Sequence, residues 1–238
     1  MERLDKVLSN LGIGSRKEVK AIIKKGLVKI DDEIIKDSNK QIDPENCRLF
    51  VNDEEIRYRK YIYLMMNKPD GVISATFDDK DSTVIDLLED SDKAFDPFPV
   101  GRLDKDTVGL LLLTNDGEFN HRLISPKHHV PKVYYAEVNI PLSDKDIQAF
   151  KEGIVLDDGY KSLPGELQIV ESGSKSICRV TIYEGKYHQV KRMFNSLGGD
   201  VTYLKRLSIG KLDLDESLAE GEYRELRDDE LKTLKNEY

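Results

Sequence analysis

The run Leu110–Leu113 is the feature that most constrains the fold of this chain. Four consecutive leucines between Gly109 and the turn signal Asn115-Asp116-Gly117 predict a short strand that is buried on both faces. The charged, irregular segment Gly101–Thr107 comes directly before that strand, so its side chains are held against a rigid edge. Because chemistry is usually carried by loops that a rigid scaffold positions, we predict that this segment carries the reactive site.

Composition limits the class of protein and its compartment. The chain has 238 residues, of which 39% are hydrophobic, and this suffices for a packed core in one or two domains. No apolar run approaches the roughly 20 residues that a membrane-spanning helix needs, and Met1-Glu2-Arg3 leads into a polar segment rather than an apolar signal sequence. We therefore expect a cytoplasmic protein without a membrane partner. Cys47 and Cys178 lie far apart, and the histidines lack the spacing of metal ligands, so we expect no metal site.

Charge is distributed unevenly along the chain. A net charge of −8 at first argues against a nucleic-acid partner, because phosphate binding requires Lys and Arg. However, residues 1–29 contain eight basic and three acidic side chains, a balance of +5, whereas residues 211–238 contain five basic and ten acidic ones, a balance of −5. The acidic total therefore owes much to the C-terminal segment, and the basic N-terminal segment could bind RNA or DNA.

The N-terminal segment has the pattern of two short helices and a hairpin. Helical spacing over Leu4–Leu11 predicts the first helix, and Ser15-Arg16-Lys17-Glu18 has the form of a capping box that starts the second. Residues 27–35, with Asp31-Asp32 as the turn, predict the hairpin. Basic side chains collect on the outer faces of the second helix, where they either contact RNA or form an ordinary solvated surface. We interpret residues 53–55 and 57–60 as a short linker to the next strand.

From about Tyr61 onward, strands and helices mix without the regular alternation of a parallel α/β protein, so the predicted fold class is α+β. Residues 133–140 and 177–183 alternate between apolar and polar positions, as half-covered strands of a mainly antiparallel sheet do. Ser143 is placed to cap a helix that runs to Phe150, and Asp81 or Ser82 to cap one that runs to Leu88. We therefore predict a mainly antiparallel mixed sheet flanked by helices.

A second informative element follows Gly185. Apolar residues recur there with the spacing of a helix that buries one face, and Gly198-Gly199 ends it. The opposite, polar side of this helix either meets an anion, such as an RNA phosphate or the carboxylate of Asp104, or is solvated. The polar side carries His188, Lys191, Arg192 and Asn195.

Asp104 is the strongest candidate for a reactive group in the charged loop. An aspartate can act as a nucleophile if it stays ionised, which a neighbouring Lys or Arg favours by lowering its pKa, and Lys191 would suit that purpose. Asp106 and Asp116 fit local loop and turn hydrogen bonding better. Asp104 and Asp106 could also form the carboxylate pair of a glycosidase, but their spacing of two residues does not require both to face one reacting centre.

The N-terminal residues resemble the S4 RNA-binding domain. Arg3-Leu4-Asp5-Lys6-Val7-Leu8, Ser15-Arg16-Lys17 and Gly26-Leu27-Val28-Lys29-Ile30 carry the similarity. In such a module two short helices and a turn present a basic surface to structured RNA. The resemblance implies that RNA phosphates are contacted by four basic side chains, namely Arg3, Arg16, Lys17 and Lys20.

The rest of the chain resembles the RsuA-type ribosomal RNA pseudouridine synthases. Four ordered motifs carry this resemblance: Met66–Gly71, Gly101–Gly117, Lys132-Val133-Tyr134 and Glu184–Phe194. A lone Arg-Leu-Asp would be weak evidence, but four motifs in order behind an RNA-binding module are specific. The resemblance implies an S4-like domain with its linker over residues 1–58 and a catalytic domain over residues 59–238.

Within that family, Ser125-Pro126-Lys127-His128-His129 resembles the branch that modifies small-subunit rRNA. The implied activity is site-specific isomerisation of uridine to pseudouridine in 16S ribosomal RNA, without a cofactor and by a monomer. A large-subunit (23S) enzyme of the same family is the alternative. A non-catalytic rRNA-binding assembly factor would not need Asp104, and a phosphoryl-transfer enzyme would need a phosphate-binding glycine loop, which we do not find in the sequence.

The resemblance also implies functions for individual residues. Asp104 is the essential carboxylate, which attacks the ribose at C1′ or the base at C6, or assists deprotonation at C2′. Lys191 matches the cation that pairs with it, with the adjacent Arg192 as the alternative. Tyr134 matches the residue that stacks on the target base, and Arg102 the one that fills the space left by the extruded uridine. Two further RNA-binding candidates lie in the last motif, His188 and Arg192.

Overall fold

The structure is a computed structural model that describes residues 1–56 and 58–237. The chain packs as two compact units, one of Met1–Ile62 with Glu89–Pro97 and one of Tyr63–Leu88 with Phe98–Tyr238. Residues 1–58 and 59–238 remain our proposed domain division, and no sequence pattern indicated that 89–97 packs with the first unit. Within the described ranges, no helix is both long and apolar enough to cross a membrane.

The first unit is built from short helices and strands. Its described elements are β1 (Glu2–Arg3), α1 (Leu4–Asn10), α2 (Arg16–Lys24), β2 (Val28–Ile30), β3 (Glu33–Ile35), β4 (Gln41–Ile42), β5 (Leu49–Val51), β6 (Glu54–Ile56) and α3 (Asp90–Lys93). Strand β1 pairs with β4, and the other four strands form an antiparallel sheet in the order β3-β2-β5-β6.

Local sequence explains how α2 begins and ends. The Ser15 hydroxyl accepts a hydrogen bond from the N–H of Glu18 at 3.4 Å, and the Glu18 carboxylate accepts one from the N–H of Ser15 at 2.8 Å. Gly26 follows the helix with a φ of +76°, a conformation that glycine adopts without strain. The two predicted helices, the capping box and the hairpin of β2 and β3 are therefore confirmed.

The predicted linker over residues 53–55 and 57–60 is wrong in part. Glu54–Ile56 form strand β6, which pairs with β5 so that Ile56 lies opposite Leu49. The acidic side chains of Glu54 and Glu55 are exposed, as charged residues commonly are on an edge strand. The part of the linker at Arg57 lies outside the described residues.

The second unit contains one large sheet with helices against it. Its described elements are β7 (Tyr63–Lys68), β8 (Phe98–Pro99), β9 (Val108–Thr114), α4 (Gly117–Ile124), a 3₁₀ helix (Pro126–His128), β10 (Lys132–Val138), α5 (Asp144–Glu152), β11 (Glu166–Glu171), β12 (Ser176–Ile182), α6 (Gln189–Ser196), β13 (Val201–Ile209), β14 (Leu212–Asp213), β15 (Tyr223–Glu225) and α7 (Asp228–Glu237). The main strand order is β11-β12-β10-β13-β9-β7-β15, with β8 on β9 and β14 on β13. Among the described strands only β13 and β9 pair in parallel, so the α+β class and the mainly antiparallel mixed sheet are confirmed.

Strand β9 lies inside this sheet, and each of its seven residues is buried. The predicted leucine strand is therefore confirmed. Gly109 is required near its start, because a Cβ there would lie 2.3 Å from the carbonyl oxygen of Arg206 on the parallel neighbour. The loop that carries Asp104 thus enters the sheet at a point of close backbone contact.

One local interpretation is wrong and another is incomplete. Residues 81–88 form turns rather than a helix, although Thr83 and Asp86 bond to each other as residues do in a helix cap. Asp116 is more than a turn residue, since its carboxylate accepts hydrogen bonds from the N–H groups of Glu118 and Phe119 and caps α4. A cap motif alone therefore does not decide whether a helix follows, because tertiary packing overrides local preference.

Candidate active site

A cleft of about 780 Å³, part of it open to solvent, lies in the second unit. Loop 101–107, the N-terminal end of α6 and the neighbouring strands β10 and β13 contribute to its lining. Within residues 1–56 and 58–237, no group of three or more His, Cys, Asp or Glu side chains is arranged to hold a metal ion. The polar and charged lining residues include Arg102, Asp104, Thr107, Lys132, Tyr134, Lys186, His188, Gln189, Lys191 and Arg206.

Loop 101–107 is held by the segment that follows β7. The Ser74 hydroxyl donates to the carbonyl of Leu103 at 2.9 Å and accepts from the N–H of Leu103 at 3.0 Å. The Gly71 N–H donates to the carbonyl of Lys105 at 3.0 Å. These bonds fix the backbone on both sides of Asp104, so its carboxylate is presented from a well-supported loop.

Lys68 is a residue of this site that the sequence analysis missed. Its side chain is fully buried at the end of β7, and its ammonium donates to the carbonyls of Pro69, Lys105 and Thr107 at 2.9, 3.2 and 3.0 Å. Burial lowers the pKa of Lys68 to about 8, against the opposing effect of nearby carboxylates. The available signal was a lysine at the end of a mostly apolar strand, inside the motif at Met66–Gly71.

Asp104 faces two basic side chains. Its Oδ2 lies 3.2 Å from Nζ of Lys191, and its Oδ1 lies 3.4 Å from Nε2 of His188. Lys191 also contacts the carboxylate of Asp106 at 2.5 Å. Burial opposes the charged form of Lys191, but its contacts with Asp106 and Asp104 together raise its pKa above the ordinary value. The ammonium therefore stays protonated through neutral pH and supplies a fixed positive charge beside Asp104.

Helix α6 brings Lys191 to this position by burying its other face. Val190, Met193 and Phe194 are buried, as the apolar spacing predicted. Before the helix, the buried carboxylate of Glu184 accepts a hydrogen bond from Nε2 of Gln189 at 2.9 Å. This bond fixes the turn that starts α6, and neither Glu184 nor Gln189 stands out as a positioning residue in the sequence.

His188 precedes α6 as its N-cap residue, whereas the sequence spacing placed it on the helix face. Its backbone adopts the left-handed conformation with a φ of +47°. Tyr187 stacks on its imidazole, with ring centroids 3.8 Å apart and the planes inclined by 18°, and stays 69% exposed. An exposed aromatic ring held in this way suits stacking on a nucleotide base.

Lys191, and not Arg192, is the α6 cation that pairs with Asp104. The guanidinium of Arg192 forms ion pairs with Asp157 and with Asp158, the latter at 2.7 Å. The ambiguity of one residue in the sequence is thereby resolved. An RNA contact from Arg192 would have to compete with these carboxylates, and it stays a prediction.

Tyr134 lines the cleft from β10, with 7% of its surface exposed. In the sheet it lies opposite Arg206 of β13. Lys132, two residues earlier on β10, also lines the cleft, and burial, together with repulsion from Arg206, lowers its pKa to about 8. The cleft therefore brings together the predicted site residues of the second unit other than Arg192, namely Arg102, Asp104, Tyr134, His188 and Lys191.

The predicted RNA-binding residues of the first unit fall into two groups. Arg3 and Lys20 lie 2.7 and 3.7 Å from the buried carboxylate of Asp5, and the hydrogen bond from Arg3 is the main reason that the pKa of Asp5 is lowered. Arg16 and Lys17 are exposed, and neither has an ion-pair partner in the part of the chain that the structure describes. The second pair is therefore the freer to meet RNA phosphates.

Comparison with protein families identifies the class of enzyme. The family model described as RNA pseudouridylate synthase matches residues 62–196, a range that contains Asp104, Tyr134 and Lys191. The chain belongs to the RNA pseudouridylate synthase family. This pseudouridylate synthase also contains an S4 domain, whose model matches residues 2–46. It is an enzyme that isomerises uridine to pseudouridine in RNA.

Individual relatives cover almost the whole synthase. It is 52% identical over 233 residues to YtzG, an uncharacterized RNA pseudouridine synthase of Bacillus subtilis, with 98% of each chain covered. Ribosomal small subunit pseudouridine synthase A of Haemophilus influenzae is 40% identical, with 98% of this chain and 99% of that one covered. Ribosomal large subunit pseudouridine synthase B of Bacillus subtilis is 36% identical, with 99% and 96% covered. A solved structure of a pseudouridylate synthase matches with a TM-score of 0.69 and 37% identity, over 98% of this chain and 100% of that one.

Proposed function

We propose that this pseudouridine synthase modifies a specific uridine of small-subunit (16S) ribosomal RNA and that Asp104 is its reacting carboxylate. One observation carries the catalytic part of the proposal: Asp104 lies 3.2 Å from the ammonium of Lys191 in a cleft that Tyr134 also lines. Base isomerisation requires a carboxylate beside a fixed cation and an aromatic ring on which the extruded base can stack.

The reaction breaks the bond between N1 of uracil and C1′ of ribose and makes a bond between C5 and C1′, while C5 loses a proton and N1 gains one. Asp104 starts it by attack at C1′ or at C6, or by assisting removal of the proton on C2′. Each route needs an ionised carboxylate with little hydration. Lys191 and the 25% exposure of the Asp104 side chain support that condition.

The uridine has to leave the RNA stack before it can enter the cleft. In our proposal Tyr134 stacks on the extruded base, and Arg102, which is exposed beside the cleft, fills the space that the base leaves. Filling that space offsets part of the few kcal/mol that unstacking costs. Both functions follow from the family resemblance, and the position of both side chains at the cleft supports them.

Further RNA contacts complete the proposal. Arg3, Arg16, Lys17 and Lys20 of the S4 domain contact phosphates, and His188 and Arg192 contact RNA near the target nucleotide. The exposed positions of Arg16 and Lys17 support the first part. We further propose that the enzyme acts as a monomer in the cytoplasm, on ribosomal RNA either free or within an assembling subunit.

Small-subunit specificity is supported by the relatives that carry that name, one of which is 40% identical, and by the segment Ser125–His129. A large-subunit target is the second candidate, because a large subunit pseudouridine synthase is 36% identical over nearly the full length. The two identities differ by little, so the branch has to be decided by experiment.

Mapping pseudouridines in ribosomal RNA from cells with and without this protein tests the proposal. We expect one 16S pseudouridine to disappear on deletion and to return when the wild-type protein is supplied again. Loss of a 23S site instead would establish the second candidate. An unchanged map of both RNAs would reject ribosomal RNA as the substrate.

A further inference from the structure

Arg206 is a buried cation for which the proposed mechanism has no use. Only 2% of its surface is exposed. Its Nε donates to the carbonyl of Leu110 at 2.7 Å, but its Nη2, which is also buried, has no hydrogen-bond partner among the described residues. A buried guanidinium group with an unmet donor is costly, and a ligand that supplies an acceptor would remove that cost.

The unmet donor belongs to a residue that lines the cleft. Arg206 lies opposite Tyr134 across β13 and β10, and residues facing each other in this way have Cβ atoms about 5 Å apart. Lys132 is a second cation in the lining, and its ammonium donates to the carbonyl of Val130 at 2.9 Å. The Thr107 hydroxyl is another buried lining group without a partner in the described ranges. These groups line the same cleft as Tyr134, the residue on which the proposed function stacks the base.

We propose that Arg206, together with Lys132, binds the carbonyl oxygens of the extruded uracil and stabilises the negative charge that reaches them during the reaction. The inference rests on the proposed function and deepens it, because it names groups that act on the base rather than on the ribose. A guanidinium presents its N–H donors in one plane, which matches the in-plane oxygens of a pyrimidine whose face is covered by Tyr134.

Each route that is open to Asp104 places charge on those oxygens. If the N1–C1′ bond breaks, its electron pair stays with the uracil and is shared by N1, O2 and O4. If Asp104 adds to C6, the electrons of the C5–C6 double bond move toward C4 and form an enolate at O4. Formation of the C5–C1′ bond neutralises the charge on the base. Release of Asp104 from C1′ or C6, loss of the C5 proton and uptake of a proton at N1 then give pseudouridine, so no oxidant or reductant is needed. Fixed donors aimed at developing charge stabilise the transition state more than the bound substrate.

A phosphate of a neighbouring nucleotide is the other anion that two cations could bind. The rest of the lining near Arg206 argues for the base, because Ile182, Leu204 and Ile209 are apolar and buried. Apolar side chains suit a flat ring and are poor neighbours for a strongly hydrated phosphate. Sulfur substitution at single uracil oxygens separates the two ligands.

A double-mutant cycle between Arg206 and single atoms of the substrate tests the inference. Single-turnover rates are measured for the wild-type protein and Arg206→Gln on ribosomal RNA fragments with uridine, 2-thiouridine or 4-thiouridine at the mapped target. Sulfur accepts hydrogen bonds more weakly than oxygen, and its intrinsic effect on the base is the same for both proteins. We expect Arg206→Gln to lower the rate with uridine about 10²- to 10³-fold while leaving RNA affinity nearly unchanged. We also expect at least one thio substitution to cost much less in the variant than in the wild type.

Matched variants keep the outcome unambiguous. Arg179→Gln removes an exposed arginine from β12 of the same sheet and should leave the rate unchanged. Arg206→Lys keeps the charge but not the planar donors, and it replaces Arg206→Gln in the cycle if the Gln variant does not fold. Lys132→Gln gives an independent cycle. If the effects of the protein and sulfur substitutions simply multiply in every cycle, as they would for a phosphate contact, the inference is overturned. A wild-type protein that forms no pseudouridine in ribosomal RNA would instead contradict the proposed function.

Discussion

At the scale of single residues, the ammonium group of Lys191 forms ion pairs with two carboxylates. Lys191 lies between Asp104 and Asp106, whose side chains are 25% and 71% exposed. Burial works against the charged form of Asp106, but its hydrogen bond with Lys191 leaves the pKa of Asp106 below the ordinary value. The less hydrated Asp104 is the better nucleophile, and Asp106 is left to hold Lys191 in place.

Replacing Lys68 by Met should slow the reaction by loosening the loop of Asp104 rather than by weakening RNA binding. Met is apolar and similar to Lys in length, but the carbonyls of Lys105 and Thr107 lose their donor. We expect kcat to fall about 10- to 100-fold, as small displacements of a reacting group do, with little change in the Kd for RNA. Steady-state kinetics and a binding assay separate the two effects. Lys80→Met, at an exposed lysine, is the control, and a loss confined to RNA affinity would refute the positioning function.

From sequence, residue functions could be predicted only where they depend on the spacing of residues within one helix or strand. Helical periodicity placed Lys191 and Arg192 on the polar face of α6 but could not say which one meets Asp104. The answer depends on Asp157 and Asp158, which bind Arg192 from a distant loop. The burial of Arg206 could not be predicted for a similar reason. An arginine in a strand usually faces solvent, and only the pairing of strands in the sheet shows that this one is buried.

At the scale of elements, the acidic C-terminal segment is part of the fold. Arg224 on β15 donates to both carboxylate oxygens of Glu230 on α7 and to the carboxylate of Asp215. Leu234 of α7 is buried in the core of the second unit. The acidic excess counted in the sequence therefore includes side chains that join the edge strand to the last helix.

The stability of the second unit should fall on acidification through this network. The hydrogen bond with Arg224 is the main reason that the pKa of Glu230 lies below its ordinary value. Such a carboxylate contributes its full stabilisation above the unfolded pKa of about 4.3, and the contribution is lost as the pH falls through the lower folded pKa. Glu230→Gln should lower the free energy of unfolding at pH 7 by about 2 kcal/mol and flatten its decline in acid.

Urea unfolding at a series of pH values from neutral to acid measures both effects. Glu216→Gln changes an exposed glutamate and should leave the pH dependence as in the wild type. A Glu230→Gln curve that runs parallel to that of the wild type would show that the ion network does not contribute to acid sensitivity.

Elements were predictable where a periodic pattern was long and clearly bounded. Strand β9 and helix α6 meet that condition, and both formed where the pattern placed them. Residues 81–88 lack a long periodic pattern and did not form the predicted helix. Thr83 pairs with Ile73 in an isolated β-bridge, and this pairing holds the start of the segment in a loop. Glu54–Ile56 was missed because two adjacent acidic residues obscure the alternation of an edge strand.

At the scale of the whole molecule, the average charge conceals local fields. The chain carries a net charge of −8, yet the lining of the cleft, among the residues that the structure describes, has one carboxylate, that of Asp104, and five Lys or Arg side chains. Such a surface raises the local concentration of a polyanion and favours RNA over other ligands. The five basic lining residues are Arg102, Lys132, Lys186, Lys191 and Arg206.

Changing Arg16 and Lys17 together to Ala should weaken RNA binding and flatten its salt dependence. Both side chains are exposed at the start of α2, whereas Lys20 is drawn toward Asp5, so this pair is the cleaner test. Loss of two phosphate contacts should reduce the slope of log K against log salt by about 1.5. Lys145→Ala with Lys151→Ala removes the same charge from exposed positions on α5 and is the control. An unchanged slope in the α2 variant would remove this surface from the RNA interface.

The most direct test of the account is single-turnover conversion of ribosomal RNA by Asp104→Asn, set against Asp106→Asn, which also alters a contact with Lys191. We predict that Asp104→Asn lowers the rate about 10⁴-fold or more while RNA affinity stays near that of the wild type, and that Asp106→Asn loses far less. Turnover by Asp104→Asn at the wild-type rate, or equal losses in the two variants, would contradict Asp104 as the reacting carboxylate.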